Sequence, residues 1–261
     1  MCFDIDSRPP IVPIKGGALQ SGELTLTAAD GNRFTAFRAR AAEPTGAGVL
    51  ILPDIRGLHP YYVELALRFA EHGVDAVAID YFGRSAGLGR RGGDFDFMPH
   101  VGQTTWDGLA ADVRAGAAYA RSKEAGSPAT LFTVGFCFGG RLSFLSATLG
   151  LDLTGVIGFY GTLVGPGRGG MPAPVDVAGQ MTSPALGLFG GADEAITRDA
   201  IDAFDKALVT AGVEHRVIAY PRAPHSFFDR KADEFADASR AAWDEVLSFV
   251  RSRTPHATTA R

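Results

Sequence analysis

Cys137 stands between two glycines in the string Gly135-Phe136-Cys137-Phe138-Gly139. The string closes the apolar run Thr130–Val134 and opens a helix-compatible stretch, Gly140–Leu149. Strand, sharp turn and helix with a thiol at the apex push one side chain out of a sheet, because small flanking residues let the backbone take a strained turn. A thiol placed there sits at the positive end of a helix, where the thiolate is favoured and can act as a nucleophile. A buried structural cysteine would carry the same string, since free cysteine also packs as a small hydrophobe.

Two later segments add the groups a nucleophile needs. The run Ala185–Gly190 reads as a buried strand, and Gly191-Ala192-Asp193 follows it directly. Glu214–Tyr220 reads as another strand, and the turn Pro221–Pro224 then delivers His225. Alone, Asp193 is equally a helix N-terminal carboxylate and His225 a loop histidine. Together they give the chain order nucleophile, acid, base, with acid and base each just after a strand. That order and placement are those of an α/β-hydrolase fold, in which the acid orients the base and the base activates the nucleophile.

The elements that must position these groups follow from hydrophobic pattern. Leu24–Ala28 and Arg33–Arg40 flank Asp30-Gly31-Asn32, a hairpin signal. Gly48–Pro53 and Val74–Asp80 are apolar runs that suit central strands, with a helix between them from Tyr61 to His72, stopped by Gly73. Asp107–Lys123, Asp199–Thr210 and Asp233–Val250 read as helices, and Val156–Tyr160 as a strand. Strands alternating with helices predict one α/β domain over 1–261, with a mostly parallel sheet of about eight strands and helices on both faces. Residues 1–20 are expected to form a Pro- and Gly-rich surface arm, and 252–261 a frayed tail. Two segments, 81–106 and 162–183, are longer than plain connectors and leave the C-terminal ends of strands. There they form either a lid and pocket wall or surface decoration. Arg90, Arg91, Asp94, Asp96 and His100 crowd the first of them, which favours a solvated charged loop over substrate contact.

Composition excludes several function classes. With 46% hydrophobic and 21% charged residues the chain is an ordinary soluble one, and its net charge of −4 leaves no basic footprint for nucleic acid. No apolar stretch is long enough for a membrane span, and the acidic N-terminus lacks the basic and apolar regions of a signal peptide. Two cysteines are too few for a disulfide framework, and Cys2 is expected to face solvent. A reducing cytoplasm therefore suits the reactive thiol. The six histidines show no metal-binding spacing, so neither a metal nor another cofactor is expected.

The motifs resemble the dienelactone hydrolase (carboxymethylenebutenolidase-like) family of the α/β-hydrolase superfamily. The resemblance rests on G-F-C-F-G-G at 135–140, G-G-A-D at 190–193 and A-P-H-S-F at 223–227. P-D-I-R-G at 53–57, A-I-D-Y-F-G-R at 78–84 and F-Y-G at 159–161 fit as well, so the likeness runs from about Gly48 to Val250. It implies a Cys137–His225–Asp193 triad and an acyl-enzyme. The oxyanion would be held by the backbone N–H groups of Phe138 and Ile55. The resemblance also makes Asp54, where the family usually has Glu, a switch that bonds the resting thiol; the alternative is a carboxylate that orders the loop through Arg56. Arg84 corresponds to an arginine that grips a substrate carboxylate, while Ser226 and Phe227 match the motif and Tyr160 is a candidate pocket wall. The family's second arginine position holds Asp229 here, with Arg230 next to it. The expected activity is cofactor-free hydrolysis of lactones or activated enol and aryl esters, with a small-molecule substrate, carboxylate-bearing or not, and a monomer or homodimer as the assembly. A non-hydrolytic thiol redox or binding protein on the same fold is the other reading; it needs a resolving thiol, for which Cys2 is the one candidate.

Overall fold

The computed structural model describes residues 6–255; the expectations for Cys2 and for 256–261 lie outside them. Eight strands form one sheet: β1 Ala18–Thr27, β2 Arg33–Ala41, β3 Ala47–Leu52, β4 Val74–Ile79, β5 Thr130–Phe136, β6 Gly155–Phe159, β7 Ala185–Gly190 and β8 His215–Tyr220. The spatial order is β1-β2-β4-β3-β5-β6-β7-β8. Strand β2 pairs antiparallel with β1 and β4, and the remaining six strands run parallel. The helices are α1 Pro60–Glu71, α4 Trp106–Ala120, α5 Phe138–Ser146, α7 Arg198–Ala211 and α8 Ala236–Ser252. Single helical turns add α2 Gly83–Ala86, α3 Met98–Val101 and α6 Pro174–Val177. Every residue of β3, β4, β5, β6 and β7 is buried, as strands covered on both faces must be. Helices α1 and α8 meet through the rings of Phe69 and Trp243, 4.8 Å apart.

The sheet sets the site. Strand order reverses between β3 and β5, and in an open parallel sheet the loops leaving the carboxyl ends at such a reversal form a crevice. Cys137 leaves β5, Asp193 leaves β7 and His225 follows β8, so all three emerge from the same edge.

The sequence reading is corrected at both ends. The arm is shorter than 1–20: β1 begins at Ala18, Ile11 is buried, and the N–H of Ile14 donates to Glu71 Oε2 at 2.9 Å. Residues 252–255 are not frayed. Arg253 stacks over the Phe249 ring at 3.9 Å and pairs with Glu214, and the Thr254 hydroxyl lies 2.9 Å from that of Thr130.

Both long segments are anchored to the body of the domain. In 81–106, buried Arg91 pairs with Asp80 at 2.8 Å, and His100 stacks on Phe95 with centroids 5.0 Å apart. The segment 162–183 is held by Arg141, which lies four residues after the thiol and is buried. Its guanidinium donates to the carbonyls of Pro172, Gly165 and Met171 and to Thr162 Oγ1, at 2.7–3.2 Å. Removing it leaves the carbonyls of Pro172 and Gly165 without that donor, while Met171 O keeps the Gly167 N–H, and opens a void. Arg141→Ala is therefore expected to lower stability by about 3 kcal/mol, read as a lower urea midpoint.

Candidate active site

The elbow is forced by local sterics. Cys137 has φ +53°, a conformation that costs a non-glycine residue about 1–3 kcal/mol. It persists because both neighbouring turns are pinned: the Cys137 N–H donates to Phe159 O at 3.0 Å, and its carbonyl accepts the Arg141 N–H at 3.2 Å. Glycine is required on either side. A Cβ on Gly135 would lie 1.9 Å from the Gly139 carbonyl oxygen, and one on Gly139 would lie 2.1 Å from that of Leu52. The thiol is half-buried at the start of α5.

Asp193 and His225 are built as a unit. His225 Nδ1 lies 2.7 Å from Asp193 Oδ2. Asp193 Oδ1 accepts the N–H groups of Ala195 and Ile196, at 2.8 and 3.2 Å, which fixes the carboxylate. A carboxylate only accepts, so the Nδ1 position carries the proton and Nε2 is the basic nitrogen. The Asp193 carboxyl is buried, whereas the imidazole is 28% exposed. Backbone bonds join the two loops: Gly191 N–H donates to Tyr220 O and Ala192 N–H to Ala223 O. The histidine loop is tied further by the Tyr61 hydroxyl on Phe228 O at 2.8 Å and the Ser239 hydroxyl on Phe227 O at 2.7 Å.

Tyr160 stands at the end of β6, between β5, which leads to Cys137, and β7, which leads to Asp193. Its ring is 4.9 Å from that of His225 and 6.3 Å from Phe136, the residue before the thiol. Its hydroxyl donates to Asp229 Oδ2 at 2.7 Å, and Asp229 Oδ1 accepts the Arg230 N–H. Burial pushes the Asp229 carboxyl up to about 8, with nearby Asp54 adding to the rise and the bonds from Tyr160 and Arg230 opposing it. The unfolded acid titrates near 3.8, so between those values the folded chain binds a proton that the unfolded chain does not. This group's contribution to stability therefore falls as pH rises from about 4 to about 8.

Asp54 is buried beside the same cluster. Its Oδ1 accepts the Arg56 N–H at 2.8 Å, and its own N–H donates to the Tyr62 hydroxyl at 3.0 Å. The loop-ordering contact expected of Asp54 therefore runs through the backbone of Arg56, whose guanidinium lies 5.6 Å from the Phe97 ring centroid. The Tyr81 hydroxyl donates to Pro53 O at 2.9 Å, and its ring packs on Phe138 at 5.3 Å. The ends of β3 and β5, which carry Ile55 and Phe138, are thereby clamped together. Among the described residues, the N–H groups of Ile55 and Phe138 donate to no carbonyl or side chain of the protein.

Four expectations need correction. Both Nη atoms of Arg84 are paired with carboxylates, Asp112 and Asp30, so its fork ties the β1–β2 hairpin to α4 and is not open to grip a substrate carboxylate. Tyr160, Ser226 and Phe227 have no accessible surface, so none can touch a substrate without movement; Tyr160 packs on the imidazole and Phe227 on Tyr160. Arg230 is exposed, and only its backbone N–H enters the cluster. A surface cleft of about 560 Å3 beside the histidine loop, lined by Pro221, Arg222, Phe235 and Ala238 among others, contains none of the triad residues.

Sequence reasoning missed the tyrosines of α1. Tyr61 and Tyr62 stand in a helical pattern that reads as plain core, and only the hydroxyl contacts with Phe228 and Asp54 distinguish them. The unusual Asp at 229 was the one readable signal of the buried cluster.

The sheet, the elbow and the acid and base loops define an α/β-hydrolase. A model of the dienelactone hydrolase family matches residues 34–253, and the chain belongs to that family. A protein of Methylorubrum extorquens, provisionally named a carboxymethylenebutenolidase, is 30% identical over 247 residues, which cover 89% of this chain and 81% of that one. An Escherichia coli K12 protein with the same provisional name is 28% identical over 250 residues, covering 92% and 90% of the two chains. The crystal structure of a protein from Klebsiella pneumoniae, provisionally titled a dienelactone hydrolase, superposes with a TM-score of 0.76 at 27% identity, covering 89% of this chain and 99% of that one.

Proposed function

We propose that this protein hydrolyses lactones or activated enol and aryl esters through a Cys137–His225–Asp193 triad and an acyl-enzyme. The observation that carries the reading is the His225–Asp193 contact at 2.7 Å, presented on the same sheet edge as a cysteine held at φ +53°. His225 Nε2 takes the proton of the Cys137 thiol, and Asp193 stabilises the imidazolium so formed. The thiolate attacks the acyl carbon. The oxyanion is met by the N–H groups of Phe138 and Ile55, with the N-terminal dipole of α5 behind them. The carbonyl re-forms as the alkoxide, enolate or phenolate leaves, taking the proton held by the His225 imidazolium and so restoring the neutral base. Water, deprotonated by His225, then releases the acid and restores the thiol.

Thiolate is itself a good leaving group. It is therefore expelled in preference to a simple alkoxide, whereas an enolate or phenolate competes with it. Enol lactones and aryl esters should turn over faster than alkyl esters of the same acid. With Arg84 held by two carboxylates, a carboxylate on the substrate is not required, so the substrate class is proposed as neutral or anionic alike.

The test is a panel of enol lactones, aryl esters and alkyl esters, assayed before and after iodoacetamide. Turnover of the activated members, lost on alkylation mapped to Cys137, supports the reading. An alkyl ester turned over faster than its enol counterpart, or activity that survives alkylation of Cys137, overturns it.

A further inference from the structure

The proposed hydrolysis leaves one buried ionisable group next to the base without a role. Asp229 is 4% exposed and bonded to Tyr160, whose ring lies against the imidazole of His225. We propose that Asp229 and Tyr160 are positioning residues for His225, and that Asp229, by gaining or losing its proton, sets how firmly the imidazolium holds its own. The inference rests on the triad reading above.

The geometry makes this an electrostatic as well as a steric link. Tyr160 has φ +37°, an unfavourable conformation for a bulky residue, and is held there by its N–H on Leu188 O at 2.9 Å and its hydroxyl on Asp229. The imidazole thus stands between a carboxylate on its edge, Asp193, and a tyrosine ring packed against it at a tilt of 55°. The groups that face Asp229 are Tyr160 after β6, Asp54 after β3, Tyr61 on α1, and His225 and the Arg230 N–H in its own loop. Asp54 resists a second negative charge in the cluster, and His225 in its charged form favours one. By reciprocity, an ionised Asp229 favours the imidazolium. As pH rises through about 8 and Asp229 loses its proton, the new negative charge helps His225 to keep its own. The protonated base needed for expelling the leaving group then survives to higher pH.

The pH dependence of kcat/KM on an enol ester, and that of the rate of iodoacetamide alkylation at Cys137, would be measured for the wild type, Asp229→Asn and Tyr160→Phe. Asparagine cannot ionise, so the alkaline limb of its kcat/KM profile should fall about half to one pH unit lower than that of the wild type, whereas alkylation needs only the thiolate, has no such limb, and reports that Cys137 is still reactive. Tyr160→Phe keeps the ring but removes the hydroxyl bond that favours ionised Asp229, and should shift the limb in the same direction. Profiles of kcat/KM that superimpose on the wild type after scaling would reduce the pair to a plain structural wall and overturn the inference. If Asp229→Asn does not fold, Tyr160→Phe is read by the same criterion. Wild-type activity that survives alkylation of Cys137 would instead count against the triad itself, so the two failures are distinguishable.

Discussion

Cys137→Ala lowers kcat/KM by about 10,000-fold or more and leaves the protein folded. The size follows from removing the atom proposed to form the acyl bond, while the proposed oxyanion donors and the binding surface remain and would account for the residual rate. The fold survives because what holds the elbow is backbone. The Cys137 N–H still reaches Phe159 O, and the glycines at 135 and 139 still admit the close approach. Circular dichroism and a urea melt close to wild type, together with lost turnover, are the expected pair of results. Retained activity would sink the nucleophile assignment. Cys137→Gly makes the complementary point about strain: it is equally inactive, yet it should be more stable than Cys137→Ala by about 1 kcal/mol, because glycine adopts φ +53° without penalty. Cys137→Ser should be severely impaired rather than dead, since a hydroxyl requires stronger base assistance than a thiol.

Asp193→Asn should cost about 1,000- to 10,000-fold in kcat with little loss of stability, the scale a wrong histidine tautomer costs in a serine triad. The reason is local. The two amides of Ala195 and Ile196 require an acceptor, so the asparagine carbonyl oxygen stays with them. Its NH2 group then faces His225 Nδ1 and makes that nitrogen the acceptor. The imidazole proton moves to Nε2, which can no longer take a proton from the thiol. Single-turnover kinetics would show slow acylation with substrate binding preserved. A kcat within tenfold of wild type would mean that Asp193 does not orient the base.

The sequence by itself determined the order of the candidate groups and the elements that carry them. Gly135 and Gly139 around Cys137 encode a sharp turn between a strand and a helix, because the period of apolar residues before it is that of a strand and after it that of a helix. Asp193 follows a run that is apolar throughout, as a strand covered on both faces must be, and His225 follows a mixed run that forms the edge strand β8. Local sterics and burial pattern suffice for all of this, and both are written in consecutive residues. The tertiary structure alone decided which charges are left to work. Arg84 has the right type and position for gripping an anion, but Asp30 comes to it from a hairpin 54 residues away and Asp112 from a helix, and together they hold its fork. Asp229 and Tyr160 are 69 residues apart and meet only because β6 and the histidine loop are brought together across the sheet edge. Burial shifts a carboxyl and pairing holds a guanidinium through neighbours contributed by distant strands, and no spacing rule along the chain contains those neighbours.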